Sequence, residues 1–499
     1  MHFNSFPFLL LFLPITLLFF YWAVGSKRYQ WSILWLIGTS LVFYGLWDWA
    51  LTGLLVGSVT MNYALGRLLN GHSPDSRGKS KLILCFGIIC NLAIFVFFKY
   101  FGVSGGTHPN AFTVALQPDF ILPIALSFFT FQQIVYLVDT WREKLNEKKI
   151  LNYFLYITFF PQLLAGPIIR PNEFFPQLRD KKIFQVAADR FAAGLTIFSF
   201  GLFKKVVLAD GIARYANSAF DAAAQGAVLS LEEAWSGALS FTLQIYFDFS
   251  GYSDMAIGLG YLFGLRLPSN FESPYKASSL IDFWHRWHMT LSGFFRDYIY
   301  IPLGGNRKGS LQRSRNIMVA MLVGGIWHGA SVTFIVWGGA HGICLVINHF
   351  WREFRNSLGH SLGSEKFISK AAARIITFFT VTVLWVFFRA ENLDTALSMI
   401  QSLLGLHAAP DPGFNNIKIS EDRLWFLFLI VWFAPNMREI MPLHYSGNKI
   451  SDALKQDPKS EERWYHWHPN LWWAAFTAVL FITSFLELTQ SRGFIYSQF

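Results

Sequence analysis

Residues 324–330 read Gly324-Gly325-Ile326-Trp327-His328-Gly329-Ala330, and they place a titratable imidazole between apolar runs at 317–326 and 332–347. An ionisable side chain in hydrocarbon surroundings is costly, so it needs a partner, a water-filled cavity or a chemical role. The neighbouring glycines leave room for another helix or a ligand. A neutral imidazole, with an ordinary pKa of about 6.5, can accept a proton from a hydroxyl group at physiological pH. His328 is therefore a candidate catalytic base, and a helix-packing histidine is the alternative.

The composition indicates that these surroundings are a lipid bilayer. The 499 residues are 53% hydrophobic and 14% charged, whereas a soluble domain carries about 25% charged residues. The net charge is +10, and the basic residues occupy short segments between apolar runs, as the positive-inside rule expects. We expect an all-α polytopic membrane protein that binds no nucleic acid. The three cysteines lie in apolar runs, so the sequence predicts neither disulfides nor a metal site.

The apolar runs have roughly the length that a bilayer-spanning helix needs, about 20 residues. They cover 6–25, 31–48, 50–66, 82–100, 119–140, 191–209, 234–262, 317–327, 331–349, 371–389, 424–436 and 470–488. Assigning the basic loops to the cytoplasm puts both termini outside it, provided that residues 317–349 enter and return on the same side. His328 then lies at the turning point of that excursion. Lys204 and Lys205, late in an outward-going segment, fit this orientation poorly.

Residues 151–190 are apolar but are interrupted by Pro161, Gly166 and Pro167. Proline removes a backbone donor, which makes a straight spanning helix unfavourable here. We expect a re-entrant segment that packs inside the protein, because irregular backbone is tolerated at membrane depth only there or against a cavity.

A dense polar and aromatic cluster lies at residues 282–305. It begins Asp282-Phe283-Trp284-His285-Arg286-Trp287-His288 and ends at Gly304-Gly305. The first part predicts a helix closed by Pro302, which would place Asp282, His285 and Arg286 on one face and Trp284, Trp287 and His288 on another. The alternative is a belt of aromatic and basic residues at the membrane interface.

A third polar group interrupts the apolar run at 244–256, which contains Gln244, Asp248 and Asp254. These side chains can bind a cation, orient a histidine or cap a broken helix, and we favour a structural polar network because Asp and Ser are also cap residues. The sequence contains no phosphate-binding glycine loop, no HExxH and no GxSxG.

Several of these segments, taken together, resemble the membrane-bound O-acyltransferase (MBOAT) family, in particular its bacterial branch of alginate O-acetylation and teichoic-acid D-alanylation subunits. The matching segments are 122–132, 160–168, 244–255, 282–305, 325–330 and 385–390. The resemblance implies one membrane domain over 1–499, with a core at about 120–390, N-terminal spans in 1–118 and C-terminal spans and tail in 391–499. It also implies a ring of about 11 transmembrane helices, plus short or re-entrant ones, around a central funnel.

The resemblance assigns roles to two histidines. His328 matches the catalytic histidine of the family, and His288, in a Trp-His pair, matches its second hallmark. Many alginate-type members have arginine where this chain has His285, so no role is expected for that residue. Supporting polar residues are expected at Asp248, Asp254, Gln244, Arg286 and Asp297.

The resemblance also implies an acyl donor that arrives from the cytoplasm, and acetyl-CoA or another thioester would serve as substrate rather than as a bound cofactor. The basic residues of 265–316 can attract its phosphates, and we expect contacts from Arg296, Arg307 and Lys308. Positive-inside topology alone is the alternative explanation for each of these residues.

The sequence ends Phe494-Ile495-Tyr496-Ser497-Gln498-Phe499. This segment resembles the Phe-x-Tyr-x-x-Phe tail of export acylation systems, in which the tyrosine is a candidate acyl carrier. A phenol ester transfers its acyl group readily, so Tyr496 is a possible relay. An aromatic anchor at the membrane interface is the alternative.

The predicted function is O-acetyl transfer across the bacterial inner membrane for an exported polysaccharide such as alginate. An SGNH-type acetyltransferase outside the cytoplasm is the expected partner. Peptidoglycan, cellulose and teichoic acid remain alternative polymers, and a long-chain lipid acyltransferase is an alternative enzyme. A glycan or lipid transporter is the alternative from another class, although the sequence lacks the repeated halves expected of one.

Overall fold

The computed structural model describes residues 1–70, 77–101, 125–142, 145, 147–180, 185, 187–359, 367–406, 421–442, 463–490 and 493–495. Within these ranges the regular structure is helical and contains no strand, which confirms the predicted all-α class.

The first half of the chain begins with a π-helical turn at Phe8–Phe12 and has a second one at Phe97–Phe101. Its α-helices are α1 (Leu13–Gly25), α2 (Tyr29–Gly45), α3 (Trp49–Asn70), α4 (Arg77–Val96), α5 (Leu126–Trp141), α6 (Ile150–Thr158), α7 (Phe160–Leu163), α8 (Pro171–Arg179), α9 (Ala188–Phe203), α10 (Asp210–Ala224) and α11 (Leu231–Leu262). A π-helical stretch at Lys204–Ala209 joins α9 to α10 without a break.

The second half continues with shorter elements and then a helical hairpin. Its α-helices are α12 (Leu280–Arg286), α13 (Met289–Phe295), α14 (Gly309–His328), α15 (Val332–Ser357), α16 (Phe367–Arg389), α17 (Leu393–Leu403), α18 (Glu421–Phe433), α19 (Met437–Ile440) and α20 (Leu471–Leu486). A π-helical turn follows α13 at Arg296–Tyr300, and 3₁₀ turns lie at Pro274–Lys276 and Leu488–Gln490.

Every predicted span overlaps one of these helices, and the protein is a multi-pass membrane protein. Among the described residues, five helical segments are long and apolar enough to cross a bilayer. They are Phe8–Gly25, Gly78–Tyr100, Ala188–Ala224, Val332–Ser357 and Phe367–Arg389. Large apolar side chains point outward from them, as at Leu18, 73% exposed, and Leu82, 72% exposed, which suits a lipid-facing surface. The total of about 11 spans stays a prediction.

The long helix α11 lies in the interior of the protein. Ser230 and Glu233 close its N-terminus with a capping box, and almost every residue from Ala234 to Leu262 is buried. The helix is continuous through Asp248 and Asp254, so neither residue caps a broken helix, and that option is wrong. A helix that is apolar on all sides needs protein around it, and α9, α10 and α16 supply it.

Glycines allow α9 and α11 to approach closely. A methyl group on Gly258 would lie 2.6 Å from the backbone nitrogen of Phe198, and one on Gly201 would lie 2.5 Å from that of Met255. Small residues at such crossings bring two backbones into contact, which is a common way to pack helices in membranes.

Helices α14 and α15 form the predicted hairpin, with His328 as the last residue of α14. Gly325 and Gly338 face each other where the two helices cross, because a methyl group on Gly338 would lie 2.5 Å from the carbonyl oxygen of Met321. Ser331 caps α15 by accepting a hydrogen bond from the backbone of Thr333. The position of His328 at the turning point is confirmed.

The described residues of the interrupted stretch 151–180 form three short helices instead of a straight spanning helix, which agrees with the prediction from its prolines. The chain turns at Phe159 between α6 and α7, and every residue of α7 is buried. The backbone nitrogen of Phe160 donates to the hydroxyl of Ser40 at 3.0 Å, so the irregular backbone finds its partner inside the protein.

The prediction of one helix across Asp282–His288 is wrong. The chain forms α12, breaks at Trp287 and His288, and resumes as α13. His288 has a φ of +41°, a left-handed conformation that is unfavourable for a residue with a β-carbon. Asp282 and Arg286 do share a face of α12 and form an ion pair at 2.7 Å, but Trp284 and His288 do not share one helix.

Candidate active site

A cavity of about 800 Å³ connects the surface with His328. Arg296 and His285 are exposed, whereas His328 is only 7% exposed, and all three side chains line the cavity. Cavities that bind ligands typically measure about 300–1,000 Å³. The walls come from α12 to α15 and from the segment after α7, and they include Arg170, Trp284, Met289, Thr290, Gly324, Trp337 and Arg352.

The imidazole of His328 lies among aromatic rings. Its centroid is 4.6 Å from the Trp327 ring, 5.1 Å from Trp337 and 4.9 Å from Phe388, each in an edge-on arrangement. These rings restrict the orientation of the imidazole and exclude water from most of its surface. The side that lines the cavity is the side from which a substrate can reach it.

The end of α14 that carries His328 is held by Lys99 and Tyr100, which the sequence analysis missed. The ammonium of Lys99 donates to the carbonyl oxygens of Trp327 at 2.6 Å and His328 at 2.9 Å. The hydroxyl of Tyr100 donates to the carbonyl of Ile326. The last carbonyls of a helix lack partners within it and carry partial negative charge, so a cation stabilises them. The sequence feature that could have pointed to this contact is a lysine inside the apolar run 82–100.

His288 is 1% exposed and is oriented by Asn270, a third residue that the sequence did not point to. The Nδ1 atom of His288 lies 3.3 Å from the Oδ1 of Asn270, which also accepts from the hydroxyl of Thr290 at 2.6 Å. The amide nitrogen of Asn270 donates to Ser253 at 3.2 Å, which fixes the amide orientation. Because Oδ1 can only accept, Nδ1 of His288 carries the proton and Nε2 is left as an acceptor.

The Nε2 atom of His288 has no hydrogen-bond partner among the described side chains and backbone. His288 does not line the cavity itself, but Met289 and Thr290 beside it do. His328 thus lines the cavity, and His288 lies behind the part of its wall that Met289 and Thr290 form.

A third buried imidazole, His341, belongs to the same aromatic cluster. Its Nδ1 accepts a hydrogen bond from the indole of Trp284 at 3.3 Å, and its ring lies 4.9 Å from Trp337. Trp284 and Trp337 line the cavity, so His341 supports its wall from behind. Across the part of the chain that the structure describes, no three His, Cys, Asp or Glu side chains form a metal-binding group.

Basic residues lie at the exposed end of the cavity. Arg170 and Arg296 both donate to the carboxylate of Asp297, which holds the two guanidinium groups next to each other. Burial alone would raise the pKa of Asp297, but the hydrogen bonds from Arg296 and Arg170 lower it overall. Asp297 is therefore charged at neutral pH and keeps both arginines in place.

The structure separates the three residues predicted to contact donor phosphates. Arg296 lines the cavity, whereas Arg307 and Lys308 lie in the exposed loop before α14 and are not among the lining residues. Arg170 and Arg352 line it instead. Arg286 pairs with Asp282 and also lies outside the cavity wall.

The polar residues of α11 form buried ion pairs away from the cavity. Asp248 pairs with Lys205 at 2.5 Å and Asp254 pairs with Lys204 at 2.7 Å. These pairs explain the two lysines that fitted the predicted orientation poorly, because their charges are neutralised inside the protein. Gln244 is also buried, and its side-chain oxygen has no partner in the described part of the chain.

A model of the membrane-bound O-acyltransferase family matches residues 127–388, which include His288, His328 and every residue that lines the cavity. The chain belongs to the MBOAT family. It is thus a membrane-bound O-acyltransferase, an enzyme that uses an acyl donor.

Curated relatives of this MBOAT act on cell-envelope polymers, according to their names. It is 41% identical over 461 residues to the peptidoglycan O-acetyltransferase of Helicobacter pylori, covering 85% of this chain and 83% of that one. It is 37% identical over 410 residues to the probable alginate O-acetylase AlgI of Pseudomonas aeruginosa, covering 81% and 75%. A more distant relative is the teichoic acid D-alanyltransferase of Bacillus subtilis, with 26% identity over 240 residues, 46% of this chain and 60% of that one.

Two features of this MBOAT lie outside the family match. Lys99, which holds the end of α14, precedes residue 127, and the C-terminal tail follows residue 388. The proposed relay residue Tyr496 lies outside the described residues, but Gly493, Phe494 and Ile495 before it are described.

Proposed function

We propose that this MBOAT takes an acetyl group from acetyl-CoA at the cytoplasmic face and passes it across the inner membrane for O-acetylation of an exported polysaccharide. The observation that supports this most is the cavity that leads from Arg170 and Arg296 to the buried His328. Paired arginines suit the phosphates of a coenzyme, and a dry imidazole at the far end suits the reacting thioester.

The chemistry at the inner end of the cavity is acyl transfer from sulfur to oxygen. His328 accepts the proton of the acceptor hydroxyl while its oxygen bonds to the thioester carbon. The carbon–sulfur bond then breaks, and the protonated His328 gives its proton to the leaving thiolate, which restores the neutral imidazole. General-base catalysis of this kind contributes roughly 10²–10⁴-fold in rate. Lys99 keeps His328 in place by bonding to the carbonyls at the end of α14.

His288 is proposed to act beside His328 as a second catalytic group. Asn270 holds its Nδ1 proton, so Nε2 has a lone pair that can accept a hydrogen bond from the acceptor hydroxyl. This hydrogen bond would hold the hydroxyl on binding, and the hydroxyl would then turn its single proton to His328, which removes it during attack. Asp297 would contribute at the other end of the cavity by orienting Arg170 and Arg296 towards the donor.

Tyr496 is the proposed first acceptor. Its phenol oxygen would carry the acetyl group as an ester until a partner enzyme outside the cytoplasm, of the SGNH type, moves the group to the polymer. This assignment requires the C-terminus outside the cytoplasm, as the charges of the loops predict. In this proposal residues 1–499 act as one membrane domain, with its core at about 120–390.

The acceptor is proposed to be a polysaccharide of the cell envelope, because the relatives with 41% and 37% identity are named for peptidoglycan and alginate. Peptidoglycan and alginate are therefore the polymers to test first, followed by cellulose and teichoic acid.

The decisive experiment for this function uses purified protein in vesicles and acetyl-CoA labelled in its acetyl group. We expect the label to move to the protein, and to polymer when the partner enzyme is added, with free coenzyme A released. Transfer of label from a long-chain acyl-CoA but not from acetyl-CoA would instead indicate a lipid acyltransferase. No transfer from either donor by a folded protein would contradict the proposal and favour a transporter.

A further inference from the structure

Residues 493–495 lie in the protein interior although they follow the last helix of the chain by several residues. The backbone nitrogen of Ile495 donates to the carboxylate of Asp248 at 2.9 Å. The ammonium of Lys205 donates to the carbonyl oxygen of Gly493 at 3.2 Å. Phe494 and Ile495 are each 5% exposed. One buried ion pair therefore binds this segment from two sides.

The Lys205 ammonium is surrounded by oxygen atoms. It contacts Asp248 at 2.5 Å and Asp210 at 2.7 Å, besides the carbonyl of Gly493. The side chains of Lys205 and Asp248 are each 2% exposed. A buried ion pair contributes little net stability compared with apolar packing, since desolvation offsets most of the attraction. Holding the backbone of residues 493–495 is a function that these charged side chains can serve and that apolar packing cannot.

The Phe494 side chain connects this segment with the active site. Its ring stacks on Tyr252 with centroids 4.5 Å apart and lies 5.7 Å from Phe249. Phe249 in turn contacts the imidazole of His288 edge-on at 4.7 Å. Phe494 is thus separated from His288 by one aromatic ring.

We propose that Lys205 and Asp248 are positioning residues that clamp the segment 493–495 beside His288 and so fix the point from which Tyr496 is presented to the acyl-transfer centre. The catalytic part of this inference rests on the proposed function, whereas the clamp itself does not. The ligand of the clamp is the chain's own backbone: one carbonyl oxygen is held by the ammonium and one N–H group by the carboxylate.

Limited digestion with a carboxypeptidase, read out by intact mass, tests the clamp in the full-length protein. In the wild type we expect trimming to stop before Ile495 is removed. Lys205→Met should let trimming continue through 493–495 at least about tenfold faster, because each hydrogen bond to a charged group contributes enough for roughly that factor. Equal protection in the wild type and Lys205→Met would overturn the proposal.

Lys204→Met is the matched control, because Lys204 is the preceding residue and its ion pair is with Asp254 rather than with the clamp. We expect this variant to protect the tail like the wild type, and trimming as fast as in Lys205→Met would also overturn the clamp. If Lys205→Met does not fold, Asp248→Ala decides, since it removes the acceptor of the Ile495 N–H group and leaves Lys205 paired with Asp210. Persistent protection in Asp248→Ala would then count against the clamp.

Acetyl transfer measured on the same variants separates the two proposals. Loss of both tail protection and labelling in Lys205→Met, with normal labelling in Lys204→Met, is the expected result. A different result is loss of tail protection in Lys205→Met together with full activity of Tyr496→Phe. That result would support the clamp and contradict the tyrosine relay.

Discussion

The site depends on a few residues that position two imidazoles. His328 is held from behind through its own carbonyl by Lys99, and His288 is held through Nδ1 by Asn270. The sequence drew attention to His328 because an ionisable group between apolar runs is unusual, and to His288 because it lies in a dense polar and aromatic cluster. It gave no indication of Asn270, whose role appears only when the chain brings it to His288 from eighteen residues away.

Asn270→Ala should lower turnover, because it removes the acceptor that fixes the tautomer and the orientation of His288. The Thr290 hydroxyl also loses its partner. An unsatisfied buried group costs about 1–3 kcal/mol, so the melting temperature should fall as well. Turnover per folded molecule and thermal melting measure the two effects.

Asn62→Ala is the control for that variant. Asn62 is also fully buried and bonds to Asn91 and Gln133, in a different part of the protein. We expect a similar loss of stability with normal turnover per folded molecule. If both variants lose turnover in proportion to stability, Asn270 has only a structural role.

At the scale of elements, the hairpin of α14 and α15 places His328 at the inner end of the cavity. The sequence predicted this hairpin because assigning the basic loops to the cytoplasm requires residues 317–349 to enter and return on the same side. It failed at 282–288, where the spacing of side chains fits one helix but His288 adopts a left-handed backbone. The hydrogen bond from Met289 to the backbone of Asn270, at 2.9 Å, helps to fix that break, and such a long-range partner leaves no local pattern in the sequence.

Gly338→Ala should destabilise the hairpin, because the added methyl would lie 2.5 Å from the carbonyl of Met321 on α14. Forcing a tightly packed crossing apart costs about 1–3 kcal/mol. The neighbouring Gly339→Ala is the control, since its methyl would meet nothing closer than 3.6 Å. Thermal melting of the purified proteins should drop for the first variant and hardly change for the second. An equal drop in both would contradict the described packing.

Lys99→Met should disturb the end of α14 and lower kcat, since the carbonyls of Trp327 and His328 lose their cationic partner. Lys99→Arg keeps a donor and a positive charge and should recover part of the activity. The KM for the donor should change little in both variants, because Lys99 is not among the residues that line the cavity. An increase in KM with normal kcat would contradict a positioning role.

At the scale of the whole molecule, one cavity connects an exposed basic surface with a buried imidazole. The composition and the apolar runs predicted the membrane environment and the helices, since these depend on residue type and length. The sequence could not show which basic residues face the cavity, because Arg170, Arg296 and Arg352 come from separate segments that only the folded chain brings together.

Arg296→Gln and Arg307→Gln form a matched pair that tests the route of the donor. Both arginines are exposed and both were expected to contact phosphates, but only Arg296 lines the cavity. Arg296→Gln should raise the KM for acetyl-CoA by about tenfold, the size of a lost hydrogen bond to a charged group. Arg307→Gln should leave it within about twofold. If initial-rate measurements show a larger increase in the KM for acetyl-CoA in Arg307→Gln than in Arg296→Gln, the donor does not bind in this cavity.

The most direct test of the central claim is the rate of acetyl transfer by His328→Ala in vesicles. If His328 is the base at the end of the donor cavity, kcat should fall by roughly 10²–10⁴-fold. Donor binding and melting temperature should stay close to those of the wild type. A rate within a few-fold of the wild type, from a protein that folds and binds donor normally, would contradict the account and make His328 a packing residue.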